Sequence, residues 1–213
     1  MSNATRLSRM LGAAIFYGLI VVIIVTAIPY GSVEPWSQAI FESSVFALAL
    51  LWVVHGLLAG SWRPGNLNLF YPLIALAAFA ILQSLSWSQT QAAGIKVVNA
   101  ISADPFESWL FALRASALVL AGILGVRFAR ESARLRILVH AIIFLAAISA
   151  IFGIVRQAMQ HDQGFLLPAL RYGGGFAQFI NKNHFAFLVE PPMGLLVGIS
   201  VLREHHRQHL LVY

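Results

Sequence analysis

The sequence predicts an all-α, polytopic transmembrane helical bundle of about six spans, and three observations carry that expectation. Of the 213 residues, 59% are hydrophobic and only 10% charged, against roughly 25% charged in a soluble domain. Mean hydropathy is +0.79. The apolar residues fall in continuous runs without the period-two alternation of a barrel strand, and a lipid-embedded backbone must satisfy its own hydrogen bonds, which a helix does within one segment. The sequence has no cysteine, which excludes disulfides, thiol nucleophiles and cysteine metal sites. A net charge of +6 is spread between apolar segments with no dense basic cluster beside aromatics, so nucleic acid is not an expected partner.

A helix rises 1.5 Å per residue and the hydrocarbon core is about 30 Å thick, so a span needs roughly 20 residues. The first run, Leu11 to Ile28, follows Arg6 and Arg9 in the order of a signal peptide. It is longer than a signal core and ends in Pro29-Tyr30-Gly31 without a small-x-small cleavage site, so a retained span is expected. Further spans are expected at Ile40 to Leu58, Leu69 to Leu85, Trp109 to Val126 and Ile137 to Val155. The sixth, His184 to Leu202, contains Pro191 and Pro192. A helix beginning only at those prolines would leave Met193 to Leu202, about 15 Å, too short to cross. The span must start near His184, with an expected kink that suits a cavity wall. Residues 1–213 thus form one expected transmembrane domain. After Arg203 to His209 the residues Leu210 to Tyr213 look like the opening of another apolar run, so the chain is expected to be a piece of a larger bundle.

Lysine and arginine set the orientation. With both termini inside, the inner segments hold Arg6, Arg9, Arg63, Arg127, Arg130, Arg134, Arg136, Arg203 and Arg207. The outer segments hold Lys96, Arg156, Arg171 and Lys182. The inner excess favours an N-in/C-in arrangement, which puts residues 29–37, 86–108 and 156–183 outside.

Arg171 is the leading candidate site residue. Its planar fork of donors fits phosphate or carboxylate oxygens. Gly173, Gly174 and Gly175 permit close backbone approach to a ligand, and Asn181 or Asn183 would cap a helix whose positive end favours an anion. The other reading is an interfacial loop whose basic residues meet membrane lipids. Lys182 and His184 complete the polar cluster, His184 as acid, base, simple donor or interfacial side chain. Glu190 lies two turns beyond Asn183, so both are expected to face one cavity. Glu42 and His140 are near enough to span ends to be hydrated, while Arg114 is either snorkelling outward or paired with a carboxylate. His205, His206 and His209 have a metal-like spacing but read as a solvated tail, and no metal or other cofactor is expected. Phosphate-loop, dinucleotide, nucleophile-elbow and metalloprotease motifs are absent.

Arg171-Tyr172-Gly173-Gly174, then residues 179–186 (Phe-Ile-Asn-Lys-Asn-His-Phe-Ala) and Leu188-Val189-Glu190, together resemble the signature of the O-antigen ligase and polymerase family. Residues 29–36 (Pro-Tyr-Gly-Ser-Val-Glu-Pro-Trp) and Ser102-Ala103-Asp104-Pro105 resemble accompanying features of one bacterial branch. The resemblance implies a multi-pass glycosyltransferase of the bacterial inner membrane, active in lipopolysaccharide and related polysaccharide biosynthesis. It would move a glycan from undecaprenyl pyrophosphate to a lipid A core or a second glycan, without a metal. By motif position Arg171 would contact the pyrophosphate, with Asn181 and Asn183 shaping the site and Gly173, Gly174, Gly175, Lys182, His184 and Glu190 in support. Ala177 and Gln178 depart from the branch, which there has a glycine and then a proline or threonine. The family's base is a histidine of a large later loop that these residues do not include, so a C-terminal half is an expected partner. Two further readings come from other classes: a half-size transporter or channel subunit lined by Glu190, Arg114 and Arg171, and a catalytically inactive fragment.

Overall fold

The computed structural model describes residues 3–60, 67–92, 95–159 and 175–211. They form six α-helices: α1 (Asn3–Ala27), α2 (Pro35–Ala59), α3 (Tyr71–Ser84), α4 (Pro105–Phe128), α5 (Ser132–Met159) and α6 (Lys182–Leu211). All but α3 are long and apolar enough to cross a membrane, the helix set of a multi-pass membrane protein. Their most apolar stretches are only 6–33% buried. Large side chains such as Leu50, Leu57, Phe144, Ile154 and Phe187 are exposed, as on faces that meet lipid or another protein.

Three expectations change. The third apolar run gives α3 of 14 residues after a short 3-10 turn, Asn68–Phe70, about 21 Å of α-helix and less than the hydrocarbon thickness. Extended backbone at Leu85 stops it. The outer segment that follows adds strands to a fold expected to be all-α: β1 (Ser86–Ala92) and β2 (Ile95–Ala100) pair antiparallel, with a register irregularity between Ser86 and Ser88. Lastly, α6 starts two residues earlier than expected and runs on to Leu211, with Pro191 and Pro192 inside it.

Contacts divide the chain into two compact units. The first comprises Met1–Val22 and Gln38–Arg130. Its most deeply buried large side chains are Ile15, Phe16, Val45 and Leu124, while Ala77 and Ala80 of α3 and Ala112, Ala115 and Ala117 of α4 are also buried, and small side chains let apolar helices approach closely. Phe70, Val119 and Ile123 form a cluster extended by Trp52 and Leu67. Phe70 stacks over Gly122, where a Cβ would strike its ring. Asp104 starts α4, its Oδ1 accepting from the Phe106 and Glu107 amides at 3.1 Å each, with Pro105 in the first turn. The Ser-Ala-Asp-Pro segment is thereby a helix cap.

The second unit comprises Ile23–Ser37 and Glu131–Tyr213. It contains the last turn of α1 and the chain leading to α2, then α5, the turn before α6, and α6 itself. Its buried residues include Leu145, Ala146, Ala177 and Phe179, and also Ser149, Arg156 and Gln178.

Candidate functional site

The burial of Ser149, Arg156 and Gln178 in an apolar unit calls for a reason, since a buried polar group without partners costs about 1–3 kcal/mol. The reason lies in the turn at residues 175–181. Gly175 has φ +70°, and a Cβ there would collide with the carbonyl oxygens of Phe179 and Ile180. Phe176 and Phe179 exchange backbone hydrogen bonds of 3.1 and 3.0 Å. Between them Ala177 is fully buried in the left-handed region, φ +52°, at a cost of about 1–2 kcal/mol for a side chain with a Cβ. Arg156, in the last turn of α5 and 2% exposed, donates from Nη1 to the Ala177 carbonyl at 2.8 Å. A hydrogen bond from a charged donor contributes about 1.5–3 kcal/mol, enough to offset the strain. Gln178 Nε2 donates to Ser149 Oγ at 2.9 Å and to the Ala27 carbonyl at 3.2 Å. That second bond satisfies a carbonyl left open at the end of α1.

Aromatic rings complete the seat. Phe176 rests on Gly153 of α5 and stacks with Phe185 of α6 at 4.6 Å between centroids. Phe179 lies on Gly31, where any Cβ would overlap its ring. Gly31 belongs to a run of three left-handed residues, Tyr30, Gly31 and Ser32, at φ +53°, +67° and +58°. Ser32 holds that run: its amide donates to the Pro29 carbonyl at 2.9 Å and its Oγ to the Thr26 carbonyl at 2.6 Å.

No family model, curated protein or solved structure matches this chain.

Of the residues singled out in the sequence, Arg171, Gly173 and Gly174 lie outside the described residues. Gly175 forms the turn. Asn181, of the two asparagines proposed as caps, is the one that caps α6: its Oδ1 accepts from the Asn183 amide at 2.9 Å and its carbonyl from the His184 amide at 3.0 Å. Lys182, Asn183, His184 and Glu190 are exposed along the first turns of α6. Neither Asn183 nor Glu190 is among the residues lining the cavity of about 510 Å³ in this unit. That cavity is lined instead by Ile24 and Ile28, by α5 residues from Ala141 to Phe152, and by Gln178. The residues that the turn sends inward are Ala177, Gln178 and Phe179, so it is their side chains that meet the interior.

In the first unit Arg114 is paired, which decides between the two alternatives left by the sequence. Its Nη2 donates to Gln38 Oε1, and its Nε lies 3.6 Å from Glu42 Oε1. Glu42 is correspondingly withdrawn, its side chain 16% exposed, rather than hydrated at a helix end. His140 is exposed, its Nδ1 2.6 Å from the Arg136 carbonyl one turn back. Among the described residues no group of His, Asp and Glu side chains is placed to hold a metal ion.

Arg156, Ser149 and Gln178 are the residues that sequence reasoning missed. Arg156 stands one residue past an apolar run and reads as an ordinary interfacial charge. Gln178 did carry a signal, as the polar residue that departs from the family's turn.

Proposed function

We propose that this chain belongs to a multi-pass glycosyltransferase of the O-antigen ligase kind in a bacterial inner membrane. It works at the periplasmic face on a glycan carried by undecaprenyl pyrophosphate, with a lipid A core or a second glycan as acceptor. One observation supports this most. Two segments that resemble the family, residues 29–36 and 179–186, are far apart in sequence yet meet in one unit, where Phe179 lies on Gly31. An interfacial loop with no task other than meeting head groups has no need to bury an arginine and a glutamine to fix its shape.

In this assignment Arg171 holds the donor's diphosphate oxygens, and the Asn181-capped head of α6, with Asn183, Lys182 and His184, shapes the anion's surroundings. A fixed arginine beside the diphosphate also stabilises the charge that gathers there as the glycosidic bond breaks. His184 belongs to the helix head and is not assigned as the base, so the chain's part is donor binding rather than proton transfer. The test is Arg171→Ala in the full-length protein, with lipid-linked glycan transfer assayed in isolated membranes. Transfer is expected to be lost while insertion stays intact; wild-type transfer by the variant refutes the assignment.

A further inference from the structure

The guanidinium of Arg156, in a residue 2% exposed, is withdrawn from direct donor contact and is bonded to the Ala177 carbonyl. We infer that Arg156 is a positioning residue: by holding the Ala177 carbonyl it fixes the 175–181 turn and, through that turn, the direction in which the capped head of α6 is presented to an anionic ligand. The function served rests on the donor-binding role proposed above; the mechanical part does not.

Several features converge on this role. Arg156 is 2% exposed and its Nη1 reaches a backbone carbonyl of the turn. The carbonyl it takes belongs to the one residue of the turn that has both a Cβ and a left-handed backbone. Ala177 is therefore the place where the turn most readily relaxes to another conformation, and the arginine bonds it there. Gln178, the next residue, is tied independently to Ser149 and Ala27. Asn181 begins α6 only four residues after Ala177, and Phe176 and Phe185 stack across that short link. The turn and the helix head consequently move as one piece. An arginine suits the task better than a neutral donor: it keeps its charge when desolvated, and a charge-assisted bond to a carbonyl is stronger than a neutral one.

The experiment uses the full chain in lipid nanodiscs, comparing wild type, Arg156→Lys and Arg156→Met. Hydrogen exchange of the Phe176 and Phe179 amides reads the turn directly. Exchange is expected to accelerate at least about tenfold in Arg156→Met, the factor for losing one charge-assisted bond, and less in Arg156→Lys, which keeps a cation and a donor. Equal protection in all three overturns the inference; if Arg156→Met fails to insert, equal protection in wild type and Arg156→Lys does so. The second readout is transfer against concentration of the lipid-linked donor. Arg156→Met is expected to raise KM several-fold with kcat nearly unchanged, whereas a general loss of structure lowers kcat. Faster exchange with unaltered KM overturns the positioning role. If the wild-type protein shows no Arg171-dependent transfer, the glycosyltransferase proposal fails, and the exchange result still decides whether Arg156 holds the turn.

Discussion

Replacing Arg114 with methionine isolates the energetics of the polar trio in the first unit. Methionine keeps the unbranched stem but removes the guanidinium, and with it the bond donated to Gln38 Oε1 and the counter-charge beside Glu42. Two bounds frame the loss. Breaking a fully buried pair costs about 3–5 kcal/mol because a naked charge remains, whereas an exposed pair contributes about 0–1 kcal/mol. Side-chain exposures of 42% for Arg114 and 16% for Glu42 put the trio between these limits. The 3.6 Å separation from Glu42 is long for a hydrogen bond, so attraction there is mainly Coulombic. We expect Arg114→Met to destabilise by about 2 kcal/mol. Most of that penalty comes from the abandoned carboxylate, so Arg114→Met combined with Glu42→Gln is expected to recover at least about 1 kcal/mol relative to Arg114→Met alone. The assay is unfolding in mixed micelles of rising SDS content, with helicity followed by circular dichroism. An identical cost of Arg114→Met whether residue 42 is Glu or Gln would refute the coupling.

Gln178→Ala is expected to cost about 2–3 kcal/mol through its two hydrogen bonds, and Ser149→Ala made in that background less than in wild type; strict additivity in the same unfolding assay would mean that the two side chains are not bonded. Asp104→Ala removes a cap that accepts from two amides and Asn181→Ala one that accepts from a single amide, so costs of about 1–2 and about 1 kcal/mol are expected; the reverse order in the same micelle titration would contradict the capping geometry.

The helices were legible because their cause is local. A continuous apolar run of spanning length leaves a helix as the economical way to satisfy its backbone, although the Asp104 cap starts α4 at Pro105, four residues before the expected Trp109. The end of α3 was legible, Ser84 against the expected Leu85, but the strand pairing that begins at Ser86 was not, because it depends on a partner strand some ten residues away. Asn181 was read correctly as a possible cap, for the same local reason as Asp104. Arg156 and Gln178 could not be read as a seat for the turn. Whether an arginine at the end of an apolar run turns outward to head groups or inward to a carbonyl is decided by a turn some twenty residues later. Ala177 shows the same dependence: a left-handed alanine is a poor local choice that a distant donor makes tolerable.

The link between the turn and α6 also has a mechanical consequence. Little else fixes this helix, since only 6% of its apolar stretch from Lys182 to Val201 is buried. Those 20 residues make a rod of about 30 Å, pivoted at the end where Asn181 caps it. Rotating the pivot by about 10° sweeps the far end through roughly 5 Å, about the rise of one helical turn. A change of one backbone angle at residue 177 is thereby magnified into a sideways displacement of the helix's far end, large enough to change what adjoins Val201.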